Sequence, residues 1–436
     1  MTSTRHLANL THEEKLSLEF ARRWREPHYR PQLQNVDWPR LAALLTRNRM
    51  GVLAAPLLER LQPSIPPEAE GALRDQGVQH RRAASKLGQA LTTYLIAAER
   101  RGIQTIVLKG LWLCEKVYQN AAVRPGSDID ILVPRHQVGA CLALLGEQGI
   151  GAFWPNLLAD EYFTRHHLHQ QRSTPDLSIW FEIHWALDHP YTLLTVDYAG
   201  IFERSKPSTL LGAPVQEMDL SDLLISLCIH LVKHAIYLPS QLERPDVPRI
   251  VLADGMLMYY LDVAELVKQQ DGIDWDLTVR LAHAWGAAET LGSVLRVCQQ
   301  YLDAPVPPEV LSALPISKPS SVTRSLMARA ADEKLATHEG RAGNRLWKLL
   351  LAPNGAFILR PVRLLETASY FFPSAGFLER GYGRGGLAIR FRHTLIAVWQ
   401  MLRFAWDTFY FGLERYARLK RLGESASLSN KLETHL

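Results

Sequence analysis

The sequence predicts an α+β fold, in which a small mixed sheet forms a core between helical N-terminal and C-terminal regions. Apolar residues recur at helical spacing before residue 100 and again after residue 219, whereas short β-branched and alternating runs lie between them. The 436 residues are 47% hydrophobic and 21% charged, a globular composition that excludes a wholly disordered chain.

The first region, residues 1–79, is predicted to be helical. Leucines recur there at helical spacing, at positions 41, 44, 45, 57, 58 and 61. Prolines at 63, 66 and 67 then break the pattern. A long helix is expected from about residue 79 to Arg101, and Gly102 is suited to cap its C-terminus.

The central region, residues 80–215, alternates between strand and helix patterns. The β-branched run 105–108 predicts a buried strand, and residues 111–120 predict a helix. Residues 128–133 alternate acidic and apolar side chains, which predicts a half-buried strand. A helix is expected after Pro134, followed by strands at 150–154 and 178–185. This order is typical of an α/β unit around a small sheet.

Two further regions, 216–302 and 303–436, are predicted to be helical. Residues 239–250 are rich in proline and charge and predict a loop, whereas prolines between 305 and 319 mark the edge of a domain. The last hundred residues mix arginines with aromatic residues. This composition fits either a terminal helix packed on the body or peripheral contact with a membrane surface.

Charge and cysteine content restrict the class of protein. Lys plus Arg exceeds Asp plus Glu by only 5, too little to indicate a protein that coats nucleic acid. The four cysteines form no CxxC, so neither a disulfide framework nor a cysteine zinc site is expected. The N-terminus resembles no secretory signal, and no run of 18 uncharged apolar residues occurs. We therefore expect a cytoplasmic protein without a transmembrane segment.

Asp128 and Asp130 carry the strongest chemical signal. Two carboxylates at i and i+2 of a strand share a face about 6–7 Å apart, so their oxygens can converge on divalent cations. Mg²⁺ is the expected ion, with Mn²⁺ as an alternative, because such sites combine carboxylates with substrate phosphates. A solvated acidic edge strand is the other interpretation. A second Asp-x-Asp, Asp274 and Asp276, is instead predicted to cap a helix.

Lys109 and Gly110 lie between the first predicted strand and a helix. A glycine turn at a helix N-terminus can bind phosphate through backbone N–H groups, and Lys109 would add a positive charge. The P-loop pattern is absent, and an ordinary turn glycine is the alternative. Arg124, four residues before the acidic pair, could reach a phosphate or lie on the surface.

Glu182 and His184 share one face of the predicted strand FEIHW. Glu182 could ligate a metal, accept a proton from an attacking hydroxyl, or form a cross-strand ion pair. His184 could contact a phosphate or fill the face of the sheet.

Other histidines give weaker signals. Those at positions 166, 167 and 169 fall in a segment that predicts a solvated loop. His230 and His234 share a helical face and are expected to be packed or to face substrate rather than to bind metal.

Together, the Lys-Gly turn, the Asp-x-Asp strand and the later acidic strand resemble the DNA polymerase β-like nucleotidyltransferase superfamily. The chain looks most like a family of uncharacterised bacterial nucleotidyltransferases whose turn is Lys-Gly. The resemblance covers most of the chain and is carried by the segments VDWPRLAALL, RRGIQTIVLKG, RPGSDIDILV, FEIHWAL, CIHLVKH, YYLDVAELV and FFPSAGFLERGYG.

The resemblance implies metal-dependent transfer of a nucleotide from a nucleoside triphosphate such as ATP to an acceptor, with release of pyrophosphate. Asp128 and Asp130 would hold Mg²⁺, Glu182 would complete the acidic set, and the Gly110 turn would meet the triphosphate. Leu111 stands where the superfamily usually has Ser or Gly, so one hydroxyl contact to phosphate is missing.

The sequence leaves the acceptor open: a small molecule, a peptide, a protein or an RNA end. It also leaves two alternatives to an enzyme. One is a nucleotide-binding or regulatory module with reduced turnover, and the other is an assembly protein at a membrane surface.

Overall fold

The computed structural model describes residues 10–59, 66–120, 123–152, 168–188, 194–234, 251–253, 255–269, 271–315, 378, 386–395 and 398–399. The chain forms two compact units, one of residues 1–156 and 162–331, the other of residues 157–161 and 332–436. The loop predicted at 239–250 and most of the predicted C-terminal region lie outside the described residues. The division into four regions stays a prediction.

Four helices precede the sheet: α1 His12–Arg23, α2 Trp38–Arg47, α3 Gly51–Glu59 and α4 Pro67–Arg100. Helix α1 begins with a capping box, because Thr11 and Glu14 each accept a hydrogen bond from the other's backbone N–H. Helix α4 begins earlier than predicted, with Pro67 in its first turn. Proline is favourable there because its missing N–H would have no partner within the helix.

Seven strands form one mixed sheet in the described part of the chain: β1 Ile106–Val107, β2 Ile129–Leu132, β3 Gly151–Ala152, β4 His169–Ser173, β5 Trp180–His184, β6 Lys206–Leu210 and β7 Ala213–Glu217. Their spatial order is β3-β4-β5-β2-β1-β7-β6. Strand β2 is parallel to β5 and antiparallel to β1, which is in turn parallel to β7. The mixed sheet with flanking helices confirms the predicted α+β fold.

Strands β4, β6 and β7 were not predicted from the sequence. Strands β6 and β7 form a hairpin whose two loop residues, Leu211 and Gly212, both have positive φ, as tight hairpin turns require. The segment KPSTLLGAPVQE contains two prolines and few β-branched residues, so its local strand signal is weak. Pairing of β7 with β1 supplies the tertiary partner that a local pattern cannot show.

The chain after β1 forms further helices, which include α5 Leu111–Lys116, α6 Val138–Glu147, α7 Tyr198–Arg204, α8 Leu220–His234, α9 Leu257–Gln269, α10 Trp275–Ala284, α11 Ala288–Leu302 and α12 Pro308–Ala313. Helices α8 to α11 pack together, and α1 contacts α9 and α11. Asp274 caps α10 by accepting a hydrogen bond from Leu277 N at 2.8 Å, which confirms the capping role predicted for the second Asp-x-Asp.

The two faces of the sheet differ in chemistry. The ring of Tyr94 in α4 lies 5.6 Å from that of Phe181 in β5, and the Tyr94 hydroxyl lies 3.2 Å from Cys141 Sγ in α6. Helices α4 and α6 therefore cover the apolar face. Asp130 and Glu182 alternate with the apolar strand residues and so point to the opposite face.

All four cysteines are buried and none forms a disulfide, as the sequence predicted. In the part of the chain that the structure describes, no helix has both the length and the apolar character to cross a membrane.

Candidate active site

The predicted acidic residues meet on the polar face of the sheet. Parallel pairing of β2 with β5 places Asp130 directly opposite Glu182, and Asp128 immediately precedes β2. One carboxylate oxygen from each of these three residues lies within 4.8 Å of the others. Three carboxylate oxygens at this spacing fit the oxygen preference of Mg²⁺ and Mn²⁺.

Two cationic side chains lie beside the carboxylates. Lys109 Nζ is 3.0 Å from Asp130 Oδ2. His184 Nε2 is 3.2 Å from Asp130 Oδ1 and 3.4 Å from Glu182 Oε2. Both cationic side chains are largely enclosed, so the acidic cluster is partly neutralised from within the protein.

The pKa values of Asp128 and Asp130 shift in opposite directions. Burial raises the pKa of Asp128, and the adjacent Asp130 carboxylate raises it further. Burial also disfavours ionisation of Asp130, but Lys109 and the hydrogen bond from His184 hold the pKa of Asp130 below its usual value. Asp130 is therefore kept more firmly than Asp128 in the charged form that binds a metal.

Glu182 is oriented by polar neighbours on two strands. Gln171 Nε2 of β4 donates a hydrogen bond to Glu182 Oε1 at 2.8 Å. Burial disfavours the charged form, but the hydrogen bond from His184 and the charge of His169 lower the pKa of Glu182 below its usual value. Burial also disfavours the charged form of His184 and so lowers its pKa. Hydrogen bonds to Asp130 and Glu182 outweigh this effect, and the pKa of His184 is raised above its usual value.

Gly110 forms the turn between Lys109 and α5, with φ 57° and ψ −110°. A side chain there would meet only the carbonyl oxygen of Asp128, at 4.0 Å, so backbone conformation rather than space requires glycine. Leu108 N donates to Asp130 O at 3.1 Å, which holds the start of this turn against β2. The turn thereby keeps Lys109 beside the acidic strand.

Arg124 lies in a buried ion pair with Asp262, and its charge also acts on Asp128 of the acidic cluster. Its Nε is 2.8 Å from both carboxylate oxygens of Asp262 in α9, and only 4% and 2% of the two side chains are exposed. Tyr118 donates a further hydrogen bond to Asp262 at 2.9 Å. These contacts give Arg124 a structural role and exclude the surface position considered from the sequence, whereas its contact with a phosphate stays a prediction.

Helix α8 brings two further residues to the site: Lys233, which the sequence did not place there, and His230, which the sequence left as either packed or facing substrate. Lys233 and His230 line a cavity of about 20 Å³ together with Lys109 and His184, enough room for one water molecule. Burial, and then the charge of Lys109, lower the pKa of Lys233. His230 Nε2 is buried and has no hydrogen-bond partner among the described residues. The available signal was a lysine inside the largely apolar helix CIHLVKH.

His169 also belongs to the site, and the solvated loop predicted for it is wrong. It lies in β4, directly opposite His184 of β5. The strand HQQRS is polar, so its local pattern does not indicate a strand, and pairing with β5 determines its conformation. Residues 166 and 167 of the same histidine cluster lie outside the described residues.

The fold and site define an α+β protein with a carboxylate cluster able to bind a divalent metal. The profile of a family described as "Uncharacterised nucleotidyltransferase" matches residues 34–303, more than half of the chain, and the chain belongs to this family. Comparisons with curated proteins and with solved structures found no match. Family membership supports a role in nucleotidyl transfer, and the matched region includes the acidic cluster, Lys109 and Lys233.

Proposed function

We propose that this protein is a metal-dependent nucleotidyltransferase, which transfers a nucleoside monophosphate from a nucleoside triphosphate to an acceptor and releases pyrophosphate. The observation that carries the proposal is the convergence of Asp128, Asp130 and Glu182, whose ligand oxygens lie within 4.8 Å of one another in the matched region. When bound there, Mg²⁺ or Mn²⁺ would neutralise charge that develops on the phosphates.

The cationic side chains beside the carboxylates are the proposed contacts of the triphosphate. Lys109, Lys233 and His230 line the same small cavity beside the carboxylates. An ammonium group is a compact charge suited to phosphate oxygens. We assign Lys109 and Lys233 to the triphosphate and His184 to the orientation of Asp130 and Glu182. The Gly110 turn keeps Lys109 in place.

Glu182 is the group that accepts the proton of the attacking acceptor in this proposal. It is ionised in the folded protein, since His184 and His169 lower its pKa. Gln171 and His184 each hold one of its two oxygens, so its orientation is fixed before substrate binds.

The first test measures binding rather than turnover. Mg²⁺ with a nucleoside triphosphate should raise the melting temperature, because only the folded chain assembles the site. At a ligand concentration a hundred times Kd, binding adds about 2.7 kcal/mol to the free energy of unfolding. Asp128→Asn combined with Asp130→Asn should abolish this increase. For each protein, the melting temperature with ligands is compared with that of the same protein without them. This is necessary because losing the Lys109–Asp130 ion pair also changes the melting temperature of the ligand-free variant.

The second Asp-x-Asp of the chain provides a matched control. Asp274→Asn combined with Asp276→Asn removes two carboxylates at the same spacing, and asparagine also caps helices well. This variant should keep the full response to metal and nucleotide. An unchanged response in the Asp128/Asp130 variant would refute the metal-site assignment.

Turnover distinguishes an enzyme from a regulatory module. Each of the four triphosphates, labelled at the α-phosphate, should be supplied with candidate acceptors while pyrophosphate release is measured. Release that depends on Asp130 and on an acceptor supports the transferase. Metal-dependent binding without release across small-molecule, peptide, protein and RNA acceptors would favour the module with reduced turnover, which Leu111 at the turn suggests.

A second candidate function, contact with a membrane surface, is favoured by the C-terminal helical segment. Four apolar side chains at four-residue intervals are exposed there, namely Leu387 88%, Phe391 67%, Leu395 53% and Trp399 53%. Leu387, Phe391 and Leu395, which lie in the described helix 387–395, share one side of it at this spacing. Arg390 and Arg392 lie on either side of this stripe and are exposed, whereas His393, on the opposite side, is buried.

An exposed apolar stripe between arginines fits the surface of an anionic lipid bilayer. The full chain should therefore float with vesicles that contain phosphatidylglycerol and less with phosphatidylcholine alone. Leu387→Asp combined with Phe391→Asp should abolish flotation. Ile96→Asp combined with Leu177→Asp, two exposed apolar residues of the other unit, should not change it. Equal flotation of both double variants would exclude this face as the lipid contact.

A further inference from the structure

A second group of potential metal ligands lies beside the carboxylate cluster and shares Glu182 with it. His169 on β4 is the cross-strand partner of His184 on β5, and Glu182 precedes His184 by two residues on the same face. The two imidazole rings are 4.8 Å apart between centroids. One ligand atom from each of the three residues lies within 4.8 Å of the others.

The carboxylate of Glu182 lies between the two imidazoles. His184 Nε2 is 3.4 Å from Glu182 Oε2, and His169 Nε2 is 4.0 Å from Glu182 Oε1. The side chain of His184 is 4% exposed, whereas those of His169 and Glu182 are 16% and 19% exposed. The group is therefore enclosed on the sheet side and reachable from solvent through His169 and Glu182.

The orientation of His184 suits a metal ligand. Its Nδ1 lies 3.4 Å from the carbonyl oxygen of Ala186, so this nitrogen can donate its hydrogen to the backbone. Its Nε2 then faces Glu182 and Asp130. Metal-binding histidines are commonly fixed in this way, with the second ring nitrogen bound to a carbonyl or carboxylate.

The ligand chemistry of this group differs from that of the acidic cluster. Two imidazole nitrogens and one carboxylate oxygen suit borderline ions such as Zn²⁺, Co²⁺ or Ni²⁺, whereas Mg²⁺ prefers an all-oxygen set. Three protein ligands also leave a coordination position for water or substrate. We infer that His169, Glu182 and His184 form a site for a divalent transition metal such as Zn²⁺, which binds without nucleotide.

Sharing of Glu182 has a consequence for the reaction. A transition metal on the two histidines engages the carboxylate that the proposed mechanism uses as proton acceptor. Zn²⁺ should therefore inhibit pyrophosphate release in the presence of excess Mg²⁺. This consequence rests on the proposed function, whereas metal binding by the histidines does not.

Binding is tested on the full, tag-free, metal-free chain without nucleotide, with Co²⁺ as a spectroscopic probe and Zn²⁺ in calorimetry. We expect one ion per chain, visible Co²⁺ absorption, and displacement of Co²⁺ by Zn²⁺ but not by equimolar Mg²⁺. His169→Ala should weaken binding at least tenfold and remove the absorption. Since all four cysteines are buried, the spectrum should lack thiolate bands.

Three further variants make the result decisive. His169→Gln keeps a polar side chain on β4 and should lose Co²⁺ as His169→Ala does, which separates ligand loss from unfolding. Exposed His136 serves as control, so His136→Ala should bind Co²⁺ normally. Asp128→Asn should also keep Co²⁺. Unchanged binding by both His169 variants, or equal losses in Asp128→Asn and His169→Ala, would overturn the inference.

The outcome is independent of turnover. An inactive chain that binds Co²⁺ through His169 supports the inference and removes the proposed reaction. A chain that does not bind Co²⁺ through His169 yet releases pyrophosphate with Mg²⁺ refutes the inference and supports the proposed reaction.

Discussion

Asp128 and Asp130 share their spacing with Asp274 and Asp276, but the surroundings of the two pairs differ. Asp130 lies on a buried strand with Lys109 at 3.0 Å and Glu182 opposite it. Asp274 accepts a backbone hydrogen bond at the start of α10. The same Asp-x-Asp motif thus has two different roles. Strand pairing brings several charged side chains together around Asp130, whereas Asp274 caps the N-terminus of a helix.

Glu182 is expected to matter for turnover more than for nucleotide binding. Glu182→Gln should leave nucleotide affinity within a few-fold, because Asp128, Asp130 and the lysines remain. Turnover should fall about 10²–10⁴-fold, the usual effect of removing a positioned proton acceptor. Affinity, turnover and melting temperature should be measured on the same variant.

Glu217 of β7 offers a control for Glu182, since it is a strand glutamate 4.0 Å from Lys116, and β7 is separated from β2 and β5 by β1. Glu217→Gln should change neither turnover nor nucleotide affinity. If Glu182→Gln lowered only the melting temperature and kept full turnover, Glu182 would be a structural ion-pair residue.

Arg124 is expected to affect stability rather than substrate affinity. Arg124→Met leaves the buried carboxylate of Asp262 without its guanidinium partner, so the free energy of unfolding should fall by about 3–5 kcal/mol. Adding Asp262→Leu removes the uncompensated charge and should restore much of that loss. Denaturant unfolding of the single and double variants measures both effects. A stable Arg124→Met protein with a raised KM for triphosphate would instead show contact with phosphate.

At the scale of elements, the hairpin of β4 and β5 determines the position of His169, Gln171 and Glu182. Its turn is organised by Asp176, which accepts hydrogen bonds from Thr174 Oγ1 at 2.6 Å and from Ser178 N and Oγ at 3.2 and 2.9 Å. These bonds lower the pKa of Asp176 from 3.8 to about 2. The charged form of this aspartate therefore stabilises the turn.

The depressed pKa of Asp176 predicts how stability depends on pH. Its contribution is fully present above the unfolded value of 3.8 and is lost as pH falls through the folded value of about 2. Asp176→Asn should lower the melting temperature at neutral pH, and the difference from the unmodified protein should narrow between these two values. Thermal scans across that range measure it, and a constant difference would contradict the role of the charge.

At the scale of the whole molecule, the acidic site, the sheet and the helices from α1 to α12 all belong to the first compact unit. Arg22 of α1 pairs with Asp303 after α11 at 2.7 Å, so the first helix contacts the last residue of the region matched by the family. The exposed apolar stripe belongs to the second unit. Catalysis and lipid contact, as proposed, are thus assigned to different units.

This assignment predicts the effect of truncation. A chain that ends at residue 331 should keep the increase in melting temperature with Mg²⁺ and triphosphate, since every residue assigned to the metal and phosphates lies before that point. The same chain should no longer float with anionic vesicles. Thermal scans and flotation of both chains provide the comparison. Loss of the nucleotide response in a folded truncated chain would place part of the site beyond residue 331.

The sequence by itself determined the fold class and the carboxylates. Alternation over residues 128–133 gave Asp128 and Asp130 one face of a strand, and the FEIHW run gave Glu182 and His184 another. Both patterns are local, because polar and apolar residues that alternate among β-branched residues predict a strand even when the partner strand is unknown. The sequence did not predict that these two strands pair in parallel, and this pairing places Asp130 opposite Glu182.

Only the tertiary structure decided which cationic side chains lie beside the carboxylates and which one is held in an ion pair with another residue. His169 reaches the site through cross-strand pairing, and Lys233 through the packing of α8, contacts that leave little local trace. Arg124 is close to the acidic pair in sequence, but Asp262, more than a hundred residues later, holds it in a buried ion pair. Strand alternation depends on neighbouring residues, whereas charge pairing and burial depend on distant ones, and so only the folded chain determines them.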